Sequence, residues 1–201
     1  MANGDHRTRV TRLLIRRAFT GLLKEKPIQS ISVKELCQRA DISRGTFYAH
    51  YTDIYDLLGQ LEHEMLTQVR QELSRMEAGV PEDARSLQVT ASLFRCIREN
   101  ADLCTVILGP WGDKEFLARL LSLGQEYCVE AYRKYFRSAT PKQLRYFYSF
   151  VSGGCMSLIE DWIKGGMAGS EEELAQAAEQ IMMHGVGYFR CGGEAQDAAG
   201  T

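Results

Sequence analysis

The sequence predicts an all-α chain of about nine helices, and three observations predict it. No stretch alternates apolar and polar side chains with period two, the mark of a half-buried strand, while apolar residues recur every three or four positions along most of the chain. The four prolines, Pro27, Pro81, Pro110 and Pro141, all fall where that recurrence breaks, the places where a missing backbone N–H does no harm. Serine or threonine stands ahead of several apolar-periodic runs, in position to cap a helix. With 45% hydrophobic and 25% charged residues over 201 positions, the chain has the makings of a globular core. No apolar run approaches the ~20 residues that a membrane span needs, and the basic start has no apolar signal centre. A cytoplasmic location without a membrane partner is expected.

The first helix is expected over Thr8–Lys24. Val10, Leu13, Leu14, Ala18, Leu22 and Leu23 supply its apolar recurrence, with Arg9, Arg12, Arg16 and Arg17 between them. Lys26-Pro27 ends it. Ser32 caps a second helix that stops near Ala40, and Glu35, three residues on, is the return partner of a capping box. Ser43 caps a short third helix carrying Arg44, Thr46, Phe47, Tyr48 and Tyr51. Thr52 caps a fourth, from about Asp53 to Met76, built on Ile54, Leu57, Leu58, Leu61, Met65, Leu66, Val69 and Leu73. Five more follow. They are expected over about Glu82–Glu99, over Ala101–Leu108 with a stop at Gly109-Pro110, and over Lys114–Phe136. The next spans Pro141–Lys164, with Pro141 in its first turn and Gly165-Gly166 at its end. The last spans Glu171–Phe189, capped by Ser170 with Glu173 as box partner.

Charge is unevenly spread. Residues 1–51 hold ten Lys/Arg against four Asp/Glu, a net of +6, and the rest of the chain carries −8, giving the overall −2. A basic head on an acidic body suits a nucleic-acid binder, since only the head meets phosphates. The six cysteines, Cys37, Cys96, Cys104, Cys128, Cys155 and Cys191, form no CxxC pair and no zinc-ligand spacing with His6, His50, His63 or His184. They read as small buried hydrophobes, and Cys104 is the best placed of them for a thiol sensor. No metal or cofactor is expected. The sequence also holds no nucleophile–base–orienter set and no phosphate loop, so an enzyme is not expected.

The informative stretch is Ile31 to Leu58. Two short helices joined by a tight turn at Ala40-Asp41-Ile42-Ser43 have the form of a helix-turn-helix. Its first helix braces across the DNA backbone and its second enters the major groove. Val33, Leu36, Ile42, Phe47 and Tyr51 fall inward, and Ala40 is small where the helices approach. Asp41 occupies a position that asks for left-handed backbone, which Asp tolerates. Arg44, Gly45, Thr46, Tyr48 and His50 fall outward. Arg44, at the helix start, can donate two hydrogen bonds to a guanine. Thr46 suits a thymine methyl or a phosphate, and Tyr48 and His50 suit phosphate oxygens. Gly45 costs a helix about 1 kcal/mol against Ala, which makes sense where backbone must approach DNA closely. The helix starts at Ser32-Val33 and Thr52-Asp53 offer N–H groups to phosphates. The candidate DNA-binding set is therefore Ser32, Lys34, Ser43, Arg44, Gly45, Thr46, Tyr48, His50 and Thr52.

Taken together, the pattern Ile31-x-Val33-x-x-Leu36-x-x-x-Ala40-x-Ile42-Ser43-x-Gly45-Thr46-Phe47-Tyr48-x-His50-Tyr51, with the preceding helix and Leu57-Leu58, strongly resembles the TetR family of regulators. The resemblance implies a three-helix DNA-binding domain over residues 7–60 and a helical regulatory and dimerisation domain over residues 61–201. It further implies a homodimer on palindromic double-stranded DNA, and a small-molecule effector that relieves repression, with activation as the alternative sense. Three positions depart from the family pattern. Ile54 stands where members commonly carry a phosphate-contacting Lys, Asp41 where the turn usually has Gly, and Cys37 where Ala is usual. The Ile54 departure is expected to weaken non-specific DNA affinity and its salt dependence by about one phosphate contact, and it lends some support to a rival reading, a protein-interaction or thiol-sensing module without regulated DNA binding. Phe150 to Met167 resembles the penultimate helix of one family subgroup, whose last two long helices pair with their mates in a four-helix dimer bundle; Gly153-Gly154 fits such close packing. Leu108 to Asp113 resembles its inner loop. Leu103, Trp111, Phe116, Tyr127 and Trp162 are the candidate lining of a ligand pocket between helices; core or dimer interface is the alternative for each.

Overall fold

Every regular element in the computed structural model, which describes residues 2–75, 85–135 and 138–185, is a helix. The order is α1 (Ala2–Glu25), a 3-10 turn (Ile28–Ser30), α2 (Val33–Ala40), α3 (Arg44–Tyr48), α4 (Ile54–Arg75), α5 (Arg85–Glu99), α6 (Ala101–Ile107), α7 (Lys114–Tyr135), α8 (Pro141–Lys164) and α9 (Glu171–His184). The expected ends of the fourth, fifth, seventh and ninth helices at Met76, Glu82, Phe136 and Phe189 lie outside the described residues. Backbone clustering gives two units, Met1–Thr67 with Asn100–Arg119, and Gln68–Glu99 with Leu120–Thr201.

In the first unit α1 packs on α2 and α6, and α2 on α3. Ile15, Ala18, Phe19, Leu22 and Leu23 form the buried stripe of α1, closing on Leu36, Ala40, Phe47, Leu57 and Leu61. The stripe expected from sequence began earlier, with Val10, Leu13 and Leu14. These three are exposed, and Ile15 and Phe19 take the inward role, about 100° further round the helix. Among the α1 arginines, Arg12 and Arg16 are held by other elements. Arg16 donates to both carboxylate oxygens of Asp102 on α6, at 2.9 and 2.6 Å, and to Asn100 at 3.0 Å. Arg12 donates to the Tyr51 hydroxyl and pairs with Glu64. Arg9 and Arg17 remain exposed.

The turn between α6 and α7 is fixed by Gly112, whose N–H donates to the Gly109 carbonyl at 3.1 Å. A Cβ on Gly112 would lie 1.8 Å from the Ile107 carbonyl oxygen, so no other residue fits. Asp113 then caps α7, its Oδ1 accepting from the N–H groups of Glu115 and Phe116 at 2.8 and 3.0 Å.

In the second unit α9 lies along α5 and also meets α8. Phe94, Leu144, Ile159, Trp162, Ala175 and Ala178 are buried. The Arg98 guanidinium sits 4.9 Å from the centre of the Trp162 ring and 3.0 Å from a Glu171 oxygen. Both α8 and α9 begin in complete capping boxes, Thr140 with Gln143 and Ser170 with Glu173. The second was expected; the first was not.

Candidate nucleic-acid interface

The geometry of the helix-turn-helix follows from its capping residues. The Ser32 hydroxyl accepts from the Glu35 N–H at 3.2 Å, starting α2. Glu35 does not return the bond as a capping box would. Its carboxylate takes the Lys26 ammonium instead, 2.7 Å from each oxygen. At the other end Asp41 adopts φ 53°, ψ 49°, the left-handed conformation expected, and the Ile42 N–H bonds back to the Cys37 carbonyl at 3.0 Å. The chain thus reverses within a few residues, and Ser43 caps α3 by accepting from the Thr46 N–H at 3.0 Å.

Beneath this turn Leu36, Ala40, Phe47 and Tyr51 are buried, and Val33 and Ile42 are half-buried. Cys37 is buried with them, its thiol 3.9 Å from the Ser43 carbonyl. Burial pushes that thiol above its ordinary range, against the opposing pull of Arg44. It is protonated at neutral pH, and a thiol is a poor nucleophile. Cys96 and Cys104 are buried and Cys155 is half-buried with its thiol likewise raised by burial. The side chains of Cys128 and Cys191 lie outside the described residues.

The expected DNA-binding residues group unequally. Lys34, Ser43 and Arg44 come together on one open groove, with Cys37, Gln38, Asp41 and Ile42 completing its lining. Gln38 was missed. Its signal was its spacing, four residues after Lys34 on the solvent side of α2. Arg44 is exposed and makes no ion pair among the described residues, leaving its five donors for a partner. Tyr48 is 56% exposed, its ring edge-on to buried Phe47. His50 is half-buried against Tyr51, and the Thr46 hydroxyl lies 2.9 Å from that of Ser43.

Gly45 is the telling position. A Cβ built there meets only the Ser43 hydroxyl oxygen, at 3.7 Å, an ordinary contact. The chain itself has room for alanine, so a glycine in this helix serves no internal packing.

Thr52 departs from expectation. Asp53, not Thr52, caps α4, its carboxylate accepting from the Asp56 N–H at 2.8 Å. Asp56 reaches back to the Thr52 N–H, also at 2.8 Å. That N–H is spent, and two carboxylates already occupy the helix start. Thr52 therefore has only its exposed side chain to offer a phosphate. Ile54, the position expected to weaken backbone contact, is buried and anchors the first turn of α4 in the core.

The expected pocket residues divide between the units. Leu103 and Phe116 are wholly buried in the first, where Trp111 stands 51% exposed on the tight turn. Trp162 belongs to the second, its indole N–H donating to the Ala168 carbonyl at 2.9 Å. The side chain of Tyr127 lies outside those described. Sequence reasoning missed Glu62, a carboxylate on the buried face of α4.

A family model described as bacterial regulatory proteins of the tetR family matches residues 15–61, and one described as a transcriptional regulator C-terminal region matches residues 85–184. An uncharacterised helix-turn-helix regulator of Bacillus subtilis, YxbF, is 33% identical over 51 residues, which is 25% of this chain and 13% of that protein's length. Among solved structures, a TetR-family regulator from Bordetella parapertussis superposes with a TM-score of 0.70 at 13% identity, covering 88% of this chain and 95% of its own. The regulator FadR of Bacillus subtilis, in complex with stearoyl-CoA, gives 0.64 at 13% identity, with 85% and 96% covered. At such identities the structures speak for the fold alone.

Proposed function

This chain belongs to the tetR family of bacterial regulators and is a DNA-binding transcriptional regulator, not an enzyme; from that premise we propose that it is a homodimeric repressor, reading a palindromic operator through α3 and releasing it on binding a small-molecule effector. Residues 7–60 are the DNA-binding domain and residues 61–201 the regulatory and dimerising one. The observation that carries the DNA-reading part is Gly45, a helix residue whose missing Cβ the chain itself does not need. It follows Arg44, with its unspent donors, in the first turn of Ser43-capped α3, so close approach of backbone to DNA gives it a use. Arg44 reads a base edge, and Lys34, Ser32, Tyr48, His50 and Thr52 position the backbone through phosphate contacts. Gln38 lines the same open groove as Lys34, Ser43 and Arg44.

Dimerisation is supported by α8. Tyr146, Phe150, Gly153, Gly154 and Ser157 recur along one exposed side of that helix, and Phe150 is 80% exposed. A Cβ on either glycine would meet nothing within 4 Å. Two glycines inside a helix cost it about 1 kcal/mol each, and a bulky apolar stripe interrupted by small residues lets another helix approach closely. A second copy placing its own α8 there would bury the stripe, and a dimer reads a palindrome when its two α3 helices enter grooves about one DNA turn apart. For the effector, linkage requires that a ligand favouring one arrangement of the two heads alters operator affinity by the same factor by which DNA alters ligand affinity.

Selection of bound sequences from a random duplex pool tests the reading, with wild type and Arg44→Ala side by side at near-physiological salt. Enrichment of a palindrome that is relaxed at one position per half-site in the variant is the expected result. Absence of any enriched sequence with wild type would overturn it.

A further inference from the structure

Glu62 stands in the row Leu58, Leu61, Met65 and Val69 that α4 turns towards its own packing, and only 7% of it is exposed. Its Oε2 accepts from the Arg119 guanidinium at 3.1 Å. Its Oε1 is buried and accepts from nothing among the described residues. Only one other buried side-chain atom there lacks a hydrogen bond, Nε of Arg98, and that atom has a charge partner in Glu171 at 3.0 Å. Proteins rarely leave a buried acceptor unmet, because the oxygen has lost its water and gained no donor.

The surroundings specify what donor would suit. Burial pushes the Glu62 carboxyl above its ordinary range, Asp113 and Glu115 push it the same way, and Arg119 opposes them. Around Glu62, two further carboxylates thus stand against the one guanidinium of Arg119, a net negative field that attracts cations and repels anions. Phe116 is wholly buried with the Arg119 guanidinium 5.5 Å from its ring centre, which supplies an apolar wall. The described residues hold no trio of His, Cys, Asp and Glu placed for a metal ion, and an N–H donor meets Oε1 directly.

We propose that Oε1 of Glu62 accepts from an organic cation bearing N–H groups, an amine, amidine or guanidine, and that this is the chemical class of effector to which the regulator responds. The second half rests on the effector reading given above; the first does not.

The test is isothermal titration of the full chain with benzamidine, phenethylamine and agmatine, against benzamide and benzoate as the neutral and anionic counterparts of the first. At least one cation is expected to bind one per chain while benzamide and benzoate do not. Glu62→Gln keeps the shape and removes the charge, and is expected to weaken that binding about tenfold or more. Glu115→Gln, an exposed change that lessens the same field, is expected to weaken it about two- to threefold. If no cation binds, if benzamide matches benzamidine, or if Glu62→Gln binds as wild type does, Oε1 holds only water and the proposal fails. The same compounds are then titrated into the complex with the selected operator. A cation that binds through Glu62 and leaves operator affinity unchanged overturns the effector role and keeps the site. A neutral or anionic compound that releases DNA when the cations do not keeps the effector reading and overturns the site.

Discussion

An alanine at position 45 would place its Cβ 3.7 Å from the Ser43 hydroxyl and meet nothing nearer. Gly45→Ala is therefore expected to leave the thermal midpoint unchanged or raise it, by up to about 1 kcal/mol of helix propensity. Operator affinity, read by fluorescence anisotropy on the same preparation, is expected to fall at least about tenfold, the cost of losing one or two close contacts at ~1 kcal/mol each. A variant that binds DNA as wild type does would remove the main support for close backbone approach. Arg44→Ala has no ion pair to break in the described residues, so its cost is confined to DNA, about 1–3 kcal/mol of discrimination at one base pair. These outward residues were readable because caps at Ser32 and Ser43 fix where the helices begin, and helical spacing then decides which side chains face out. Thr52 was misread for a physical reason. Thr52 and Asp53 can both cap a helix, and the choice falls to Asp56, whose carboxylate reaches back to the Thr52 N–H only if Asp53 holds the cap.

Two carboxylates that join helices titrate in opposite directions. Burial works against the charge of Asp102, but the hydrogen bonds and charge of Arg16 outweigh it and hold the carboxyl below its ordinary range. A lowered folded value means that its contribution to stability is present above the unfolded value of about 4 and is lost as pH falls through the folded one. Glu62 is the reverse, raised chiefly by burial. Its contribution is fully present below the unfolded value of about 4.4 and is lost as pH rises through the folded one. Thermal melts should separate them. Asp102→Asn is expected to be destabilised at neutral pH and to converge on wild type below pH ~4. Glu62→Gln is expected to melt above wild type at neutral pH, with the gap closing as pH falls towards ~4.4. A Glu62→Gln protein that melts lower at neutral pH would show that the Arg119 pair outweighs the desolvation. Neither role was readable in full. Glu62 sits on an apolar row of α4, a visible anomaly, but its electrostatic surroundings come from Asp113, Glu115 and Arg119, more than fifty positions on. The Arg16–Asp102 pair spans 86 positions, a separation that periodicity cannot sense.

The same long-range pairing explains why the helices were predictable and their grouping was not. Caps, prolines and apolar spacing are local, and they place α8 at Pro141–Lys164 to the residue. That α6 joins the first compact unit depends on Arg16, Thr20 and Asp102 meeting, which no local signal records. The exposed side of α8 is a feature of another kind, since its explanation lies outside a single chain. Phe150 is the most exposed large apolar residue described, and with Tyr146 it flanks two glycines that do nothing for the protomer. A stable dimer buries roughly 800 Å² per partner, and aromatic residues near the centre of such a patch carry much of the binding energy. Phe150→Asp places a charge where a second α8 would pack and costs the protomer nothing that it buries. It is expected to leave the helical circular dichroism unchanged and to sediment as a monomer at micromolar concentration. Because two linked heads gain from effective concentration, the monomer's affinity for a two-half-site operator is expected to fall by about 10²–10⁴, while its affinity for an isolated half-site is kept. A Phe150→Asp protein that still sediments as a dimer and binds the full operator would place the seam on another face and leave the glycine pair of α8 without a purpose.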